Sequence, residues 1–421
     1  MIQMIYGLVD MQSFYASCEV ATRGEFARGR SQYDDATDPS LVVAGDPEHR
    51  RGIILAATPA AKAKGITTAM TLGESLRLDR QLIVVKPRME LYLEVSVRIQ
   101  QTIQQHFPLH EQFSVDEAFF AFPYPTGMFY DPIMVSKALK DDIWDQFRIR
   151  CRIGLGPNKW IAKMANKAAK KAANGIVWWK EEQVQQELEK IPVSEMWGVK
   201  KRGEVLQRAF GCQTIGDVAA ISRGQLKQRF GNVWGEILFR WSHGIDRSPI
   251  DPSSYMAPNK EYSHRTTLSR DYAERSEIGI VLLELLDEVC ERVRHSGQKG
   301  RRISVGVTYA GFVGGFYKAK TLGEYVDDAK LLYPVCLALF DRFWTGESVR
   351  AVAVGLDDLI ERTEMIQLSL FEDAIKNSRL NTVVDDLHIR FGELSVYRAS
   401  SLLPAGQKKV RSSKIGGHNA R

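Results

Sequence analysis

The sequence has few cysteines and no long apolar run, and each absence excludes a class of protein. Its five cysteines, among 421 residues, form no C-x-x-C pair and lack the histidine spacing of a zinc site. A disulfide framework is therefore not expected, and the thiols should be reduced and buried. No apolar run approaches the roughly 20 residues that cross a bilayer, and no signal peptide opens the chain. We expect a cytoplasmic protein with no membrane partner.

Acidic residues are missing from the run between Pro404 and Arg421, which carries five basic ones. Two further basic clusters occur at 159–171 and 292–302, within a chain of net charge +6. Any one cluster could be a solvated face. Basic stretches in several separate regions favour an extended polyanion, such as a nucleic acid, over a compact ligand.

The length and the order of apolar runs indicate several domains. The chain is too long for one ordinary core, and 44% hydrophobic with 26% charged residues is typical of a soluble globular protein. In the first part, apolar periodicity predicts strands and helices in the order of a split βαβ, ferredoxin-like domain: strand 2–9, helix 89–107, strands 112–115 and 118–122, helix 133–147 and strand 149–155.

The second part of the chain has two regions with different sequence patterns, separated by a linker. Residues 180–250 predict short helices broken by glycines, and the stretch 196–201 resembles a helix-hairpin-helix, which can present backbone N–H groups to a phosphate. A proline-rich linker at 248–258 follows. After it, the pattern predicts a second βαββαβ series between residues 262 and 356, and then a polar segment.

Three carboxylates carry the chemical signal. Asp10 ends the first strand, and Asp116 and Glu117 lie side by side in a strongly apolar setting. Adjacent acids are costly to place there unless a cation neutralises them, and hard oxygen ligands suit Mg²⁺. A pair of such ions can activate an attacking oxygen and hold a leaving one. The alternatives are a solvated turn at Asp116 and Glu117 and a helix N-cap at Asp10.

These acids lie in motifs that resemble a known family. Asp10 to Glu19 (D-M-Q-S-F-Y-A-S-C-E) and Ser114 to Ala118 (S-V-D-E-A) resemble two palm motifs of Y-family DNA polymerases. The segment Gly154 to Lys171 is similar to the third, and its end, A-N-K-A-A-K-K, is nearest to the UmuC type, the catalytic subunit of bacterial polymerase V. The resemblance covers most of the chain.

The resemblance implies an α+β right-hand polymerase with four domains and a tail. They are a ferredoxin-like palm (1–12 and 88–178), small fingers (13–87), a helical, helix-hairpin-helix thumb (179–250), a βαββαβ little finger that binds DNA (258–359) and a C-terminal tail (360–421). The implied function is error-prone synthesis past lesions in an SOS-type damage response, on primer-template DNA and dNTP, without a proofreading exonuclease. Accessory subunits or a recombinase filament are further partners that it suggests.

The resemblance also implies roles for single residues near the acids. Asp10, Asp116 and Glu117, with the Met11 carbonyl, would hold two Mg²⁺ ions. Tyr15 would be the steric gate that excludes a 2′-hydroxyl. Its alternative is a core tyrosine at helix spacing.

Two lysines would contact the triphosphate of the dNTP. Lys62 lies in the fingers stretch A-A-T-P-A-A-K, and Lys170 lies in the third palm motif, where Lys171 is an alternative register. Pro59 stands where many family members have a tyrosine, so the chain departs from the family pattern there.

A short peptide in the polar tail matches a known binding motif. Gln367, Leu368, Leu370 and Phe371 follow the bacterial sliding-clamp motif Q-L-x-L-F. Leu370 and Phe371 can fill an apolar pocket while Gln367 bonds at its rim. The alternative is a short helix packed on the preceding domain.

Two other functions remain compatible with the residues alone. One is a different palm-fold nucleotidyl transferase, such as a cyclase, and the other is a non-catalytic scaffold tethered to the clamp. Primer extension separates the polymerase from the cyclase, and metal-dependent dNTP incorporation excludes the scaffold.

Overall fold

The computed structural model describes residues 2–45, 52–125, 131–253, 259–362 and 374–420. The chain divides into two compact units, Met1–Ala257 and Pro258–Ala420. Each unit combines β-sheets with α-helices, as the α+β prediction requires. In the described ranges, no helix is long and apolar enough to cross a membrane.

The first unit contains two sheets and eleven described helices. Its strands are β1 (Ile2–Met11), β2 (Leu41–Ala44), β3 (Ile54–Ala57), β4 (Ile83–Val85), β5 (His110–Gln112), β6 (Glu117–Pro125), β7 (Cys151–Gly156) and β8 (Ile176–Trp178). Its helices are α1 (Phe14–Thr22), α2 (Gly24–Ala27), α3 (Pro59–Ala63), α4 (Leu72–Leu78), α5 (Met89–His106), α6 (Pro132–Phe147), α7 (Lys159–Ala169), α8 (Glu181–Glu189), α9 (Lys200–Phe210), α10 (Ile215–Ala219) and α11 (Arg223–Ser242).

The larger sheet of this unit has the order β5-β6-β1-β7-β8. Strand β1 lies in its middle and pairs antiparallel with both β6 and β7. Strands β1, β5, β6 and β7 with helices α5 and α6 therefore form the ferredoxin-like arrangement. The smaller sheet, β3-β2-β4, belongs to the segment inserted between β1 and α5.

Helix α7 packs closely on the centre of the larger sheet because Gly154 has no side chain. A Cβ at this position would lie 2.1 Å from the backbone nitrogen of Asn166. Asn166 in turn donates to the carbonyls of Leu8 (3.2 Å) and Arg152 (2.9 Å) on β1 and β7. This close approach fixes the lysines of α7 next to the ends of both strands.

The second unit contains β9 (Glu261–Tyr272), α12 (Arg275–His295), β10 (Gln298–Tyr309), β11 (Gly315–Val326), α13 (Ala329–Phe343), β12 (Val349–Glu361), α14 (Ala374–Phe391), α15 (Lys408–Arg411), β13 (Lys414–Ile415) and β14 (His418–Asn419). Its main sheet has the order β11-β10-β12-β9. The element order repeats that of the first unit, but the first strand lies at the edge of this sheet instead of inside it.

The segment after β12 is folded onto this unit where the structure describes it. Tyr272 donates to the carbonyl of Ala405 (2.9 Å), and Arg411 donates to Glu284 (2.8 Å) and Glu288 (2.7 Å). The side chains of Arg411 and Glu284 are only 7% and 2% exposed. A polar composition therefore does not make residues 374–420 a detached tail, whereas the peptide at 367–371 lies outside the described residues.

Removing one partner of this buried pair should loosen the C-terminal segment. Glu284→Ala removes one of the two carboxylates that pair with the buried Arg411 guanidinium, and with it the acceptor of the Gln407 N–H, while Glu288 remains. Breaking a buried ion pair costs up to about 3–5 kcal/mol. We expect faster amide hydrogen exchange across 374–420, measured by mass spectrometry on the full chain. Arg301→Ala is the control, because its pair with Asp358 is about 40% exposed on both sides and water screens such a pair strongly. Equal exchange in both variants would contradict the prediction.

Candidate active site

Strands β1 and β6 bring the three predicted carboxylates to one end of the sheet. The register pairs Asp10 with Glu117 across β1 and β6, and with Arg152 across β1 and β7. The backbone N–H of Met11 donates to the carbonyl of Asp116 (2.9 Å) and so closes the turn that precedes β6. Two sequence-distant motifs therefore meet through backbone pairing alone.

The negative charges of the three carboxylates repel one another. Burial, reinforced mainly by the Glu117 carboxylate, raises the pKa of Asp10 to about 6. The Ser114 hydroxyl donates to Asp116 (2.6 Å), and the Lys163 ammonium pairs with Glu117. Negative charge is thus concentrated here and only partly balanced by the chain's own cations.

A single cleft of about 820 Å³ lies against these residues. Its lining includes nearly every site residue expected from the sequence, namely Asp10, Met11, Tyr15, Lys62, Asp116 and Lys170, together with Pro59. Glu117 lies at the start of β6, opposite Asp10, but is not part of this lining. Lys170 lines the cleft and Lys171 does not, which favours the Lys170 register.

The residues present fit a divalent cation. Asp10, Asp116 and Glu117 supply hard carboxylate oxygens, and the Met11 carbonyl lies next to them in the chain. The cleft wall also holds a polar atom without a partner in the described part of the chain, the Oε1 of Gln12. The Lys163 ammonium shows that a cation is already favoured beside Glu117.

Tyr15 is held by a stack of aromatic and charged groups behind it. Its ring stacks on Tyr92 with centroids 4.6 Å apart and planes 15° from parallel. The Tyr92 hydroxyl donates to Glu19 (2.7 Å), a carboxylate with no exposed surface that also receives two hydrogen bonds from Arg88. Burial alone raises the pKa of Glu19, but the hydrogen bonds from Arg88 and Tyr92 outweigh it and leave the pKa lowered. The carboxylate is therefore a fixed anchor for the stack.

Lys62 reaches the cleft from helix α3, which follows β3 in the inserted segment. Thr58 caps α3 and Pro59 occupies its first turn, where a missing N–H costs nothing. One turn later the Lys62 ammonium donates to the hydroxyl of Ser13 (2.8 Å). Desolvation, reinforced by the Lys170 ammonium, lowers the pKa of Lys62. Two cations facing one another in a cleft favour an anionic ligand between them.

Two charged residues of the cleft, Asp35 and Arg152, were not predicted from the sequence. Arg152 donates to Asp35 (3.1 Å), which also accepts from Gln12 (2.7 Å). Arg152 lies on β7, directly opposite Asp10. A charged residue alternating with buried ones in a half-buried strand is the signal that could have indicated it.

The chain is similar to several known proteins. A family described as impB/mucB/samB matches residues 9–167, and the C-terminal domain of the same family matches residues 259–370. DNA polymerase IV 2 of Bacillus subtilis (strain 168) is 36% identical, over 99% of each chain. DNA polymerase IV of Pelotomaculum thermopropionicum is 37% identical, over 97% of this chain and 98% of that one.

Two further comparisons concern repair and fold. UvrX of Bacillus subtilis (strain 168), whose name assigns it to UV-damage repair, is 34% identical over 98% of this chain and 97% of that one. A solved Y-family DNA polymerase chimera of Dbh and Dpo4 superposes with a TM-score of 0.69 at 23% identity, covering 85% of this chain and all of that chain. The likeness to the chimera concerns the fold alone.

Proposed function

The chain belongs to the impB/mucB/samB family of Y-family DNA polymerases, and on that premise we propose that its acidic cleft is the site of nucleotidyl transfer from a dNTP to a primer 3′-hydroxyl. The predicted family and fold class are confirmed, and the function is DNA-directed DNA synthesis of the translesion type. The placement nearest to the UmuC type stays a prediction, because the relatives are named DNA polymerase IV and UvrX.

One observation carries the assignment of the site. A single cleft gathers an acidic end, an aromatic ring and two lysines, drawn from segments far apart in sequence. The triphosphate of a dNTP would have complementary groups there, with the acids and their metal ions at the reacting phosphate and the lysines at the rest of the triphosphate. A solvated turn or a core tyrosine would not require this convergence.

Polymerases of this family generally need divalent metal ions, and we propose that Asp10, Asp116, Glu117 and the Met11 carbonyl hold two Mg²⁺ ions. Bound there, the metal ions lower the pKa of the attacking hydroxyl and balance the charge that develops on the phosphate oxygens. The chain's own contribution is to fix the carboxylates on paired strands, so that little reorganisation is needed during reaction.

The remaining residues bind and select the nucleotide. Lys62 and Lys170 neutralise the triphosphate as point charges, and Pro59 offers neither a side-chain donor nor a backbone N–H to it. In this proposal the Tyr15 ring blocks a sugar 2′-hydroxyl, and its stack on Tyr92 keeps the ring from moving away. Sugar selection in this proposal is therefore steric.

The domain assignment is part of the same proposal. Residues 1–12 and 88–178 form the palm, 13–87 the fingers, 179–250 the thumb and 258–359 the little finger. Exposed basic residues of the last two regions contact the phosphate backbone of primer-template DNA, so affinity for DNA should fall steeply with salt. We further propose that the peptide at 367–371 binds the sliding clamp and that the protein works in the cytoplasm, with accessory subunits or a recombinase filament as further partners.

Replacing one metal ligand should remove catalysis without removing DNA binding. Asp116→Asn keeps the shape of the side chain and removes its charge. Electrostatic stabilisation by a metal ion contributes several kcal/mol, and about 1.4 kcal/mol is tenfold in rate, so we expect dNTP incorporation to fall roughly a hundredfold or more. Primer extension and DNA-binding titrations measure the two properties. Glu182→Gln, an exposed acid on α8, is the control, and near wild-type extension by Asp116→Asn would exclude the assignment.

Loosening the stack behind Tyr15 should weaken sugar selection. Tyr92→Leu removes a ring contact worth about 0.5–1.5 kcal/mol, so we expect ribonucleotide incorporation, relative to deoxynucleotide, to rise up to about tenfold. Tyr92→Phe keeps the stack and should change the ratio less, while Tyr15→Ala sets the upper limit. Single-nucleotide kinetics with matched rNTP and dNTP measure the ratio. An unchanged ratio in folded Tyr15→Ala would make Tyr15 a core residue only.

Two apolar residues of the tail peptide should carry clamp binding. Leu370→Ala with Phe371→Ala removes both anchors, each worth roughly 2 kcal/mol or more. Stimulation of primer extension by the clamp should disappear, while distributive synthesis on short primers should not change. The paired control is Leu402→Ala with Leu403→Ala, two leucines that are exposed elsewhere in the C-terminal segment. Full clamp stimulation of the Leu370 and Phe371 variant would disprove the assignment.

A further inference from the structure

Histidines are concentrated at one place in the second unit. The segments that carry them are distant in sequence from those of the acidic cleft and belong to different helices and strands. Of the eight histidines in the chain, His264, His295 and His388 line one cavity of about 400 Å³. The same cavity is lined by the carboxylates of Glu288 and Glu291. Polymerisation as described above uses none of these residues.

Two helices present metal-ligand pairs to each other beside this cavity, and Asp385 lines a second cavity that Glu291 and His388 also line. Glu291 and His295 are four residues apart on α12, and Asp385 and His388 are three residues apart on α14. Residues at these spacings lie on one face of a helix. Ligand atoms of Glu291, His295 and Asp385 lie within 4.8 Å of one another. Two facing helices that each offer a carboxylate and an imidazole are a recurrent way to build a metal site.

The hydrogen bonds of His388 give an independent indication of a ligand. Its Nε2 lies 2.7 Å from the carbonyl of Val396, which can only accept, so Nε2 carries a proton. Its Nδ1 then faces both oxygens of Glu291, at 3.0 and 3.1 Å. A bare lone pair opposite a carboxylate is repulsive, so a proton or a cation must lie between them.

The other donors decide between a proton and a cation. A proton on His388 accounts for Glu291 but not for the convergence of His295 and Asp385 on the same carboxylate. Ligand atoms of Glu291, His295 and Asp385 lie within 4.8 Å of one another, and His388 lies outside that group but 3.0 Å from Glu291. A tetrahedral ion with ligand distances of about 2.0 Å places its ligand atoms roughly 3.3 Å apart, so binding would draw these side chains together. The bond from His388 to Val396 would then orient the imidazole, as ligand histidines usually require.

Arg294 does not prevent Asp385 from binding a metal ion. Its guanidinium donates to both oxygens of Asp385, at 2.6 and 2.7 Å. A carboxylate has about four lone-pair positions, so two remain for a metal ion. Arg294 therefore orients the carboxylate as a neighbour of the site rather than occupying it.

We propose that Glu291, His295, Asp385 and His388 form a binding site for a divalent transition metal ion of the zinc type, which cross-links α12 and α14. Two imidazoles with two carboxylates suit Zn²⁺, whereas Mg²⁺ prefers oxygen ligands alone and keeps several waters. The metal would fasten the C-terminal segment to the long helix of its own unit. The proposal does not depend on the polymerase assignment.

The test is a Zn²⁺ titration of the full-length protein, freed of metal and kept in millimolar Mg²⁺, against a chromophoric chelator. We expect one Zn²⁺ per chain, and slower amide exchange in α14 when it is bound. His295→Ala should weaken binding at least tenfold, and because His295 is exposed its removal leaves the core intact. His388→Ala should do the same.

Two control variants keep the outcome decisive. His264→Ala alters the same cavity at a residue that pairs with Glu288 instead, and it should bind Zn²⁺ as the unchanged chain does. Asp116→Asn alters the acidic cleft and should also leave Zn²⁺ binding unchanged. No Zn²⁺ binding in the presence of Mg²⁺, equal binding by His295→Ala, or loss of binding in Asp116→Asn would each overturn the proposal.

Discussion

The repulsion among three carboxylates at one end of a buried sheet is the constraint on which the first unit depends. Backbone pairing of β1 with β6 forces Asp10 and Glu117 together, and the turn before β6 adds Asp116. Burial, and after it the charge of Glu117, raises the pKa of Asp10, so the fully charged arrangement is unfavourable in the absence of cations. The fold therefore supplies the energy that keeps a cation-binding site preformed.

The surrounding charges balance this site without filling it. Arg150 is buried and tied to Asp38 at 2.6 Å and to the carbonyls of Ser31 and Asp34, which fixes the loop before β2. That loop carries Asp35, which holds the side chain of Arg152 at the cleft. Arg152 is thereby kept opposite Asp10 by a carboxylate of its own. The cations that lower the pKa of Asp10 are instead Lys170 and Lys163, and they only partly offset the effects of burial and of the Glu117 carboxylate.

Local patterns predicted most strands of the larger sheet, but the strand expected at 112–115 lies at His110–Gln112, and residues 113–116 form the turn before β6. Outside the sheet, tertiary partners decided the structure. Helix α5 follows its periodicity, with Tyr92, Val95 and Ile99 buried, and the two acidic motifs are short enough to recognise directly in the sequence. Helix α14 was not predicted, because residues such as Leu380 and Val383 on it are largely exposed and blur the apolar face. Arg152 and Asp35 were missed since their roles arise only from strand pairing and a long-range ion pair.

Side-chain partners that are distant in sequence also explain why the number of basic residues overstated the positively charged surface available to a polyanion. Lys408 and Arg411 are buried against Glu284 and Glu288, and Arg294 is paired with Asp385. These pairs neutralise positive charge inside the second unit and join its C-terminal segment to α12. Lysines of α7 are similarly divided, since Lys159 pairs with Glu111 and Lys163 with Glu117, while Lys170 faces the cleft. The sequence shows the sign of each side chain's charge. Whether that charge faces a ligand or pairs with another side chain depends on packing.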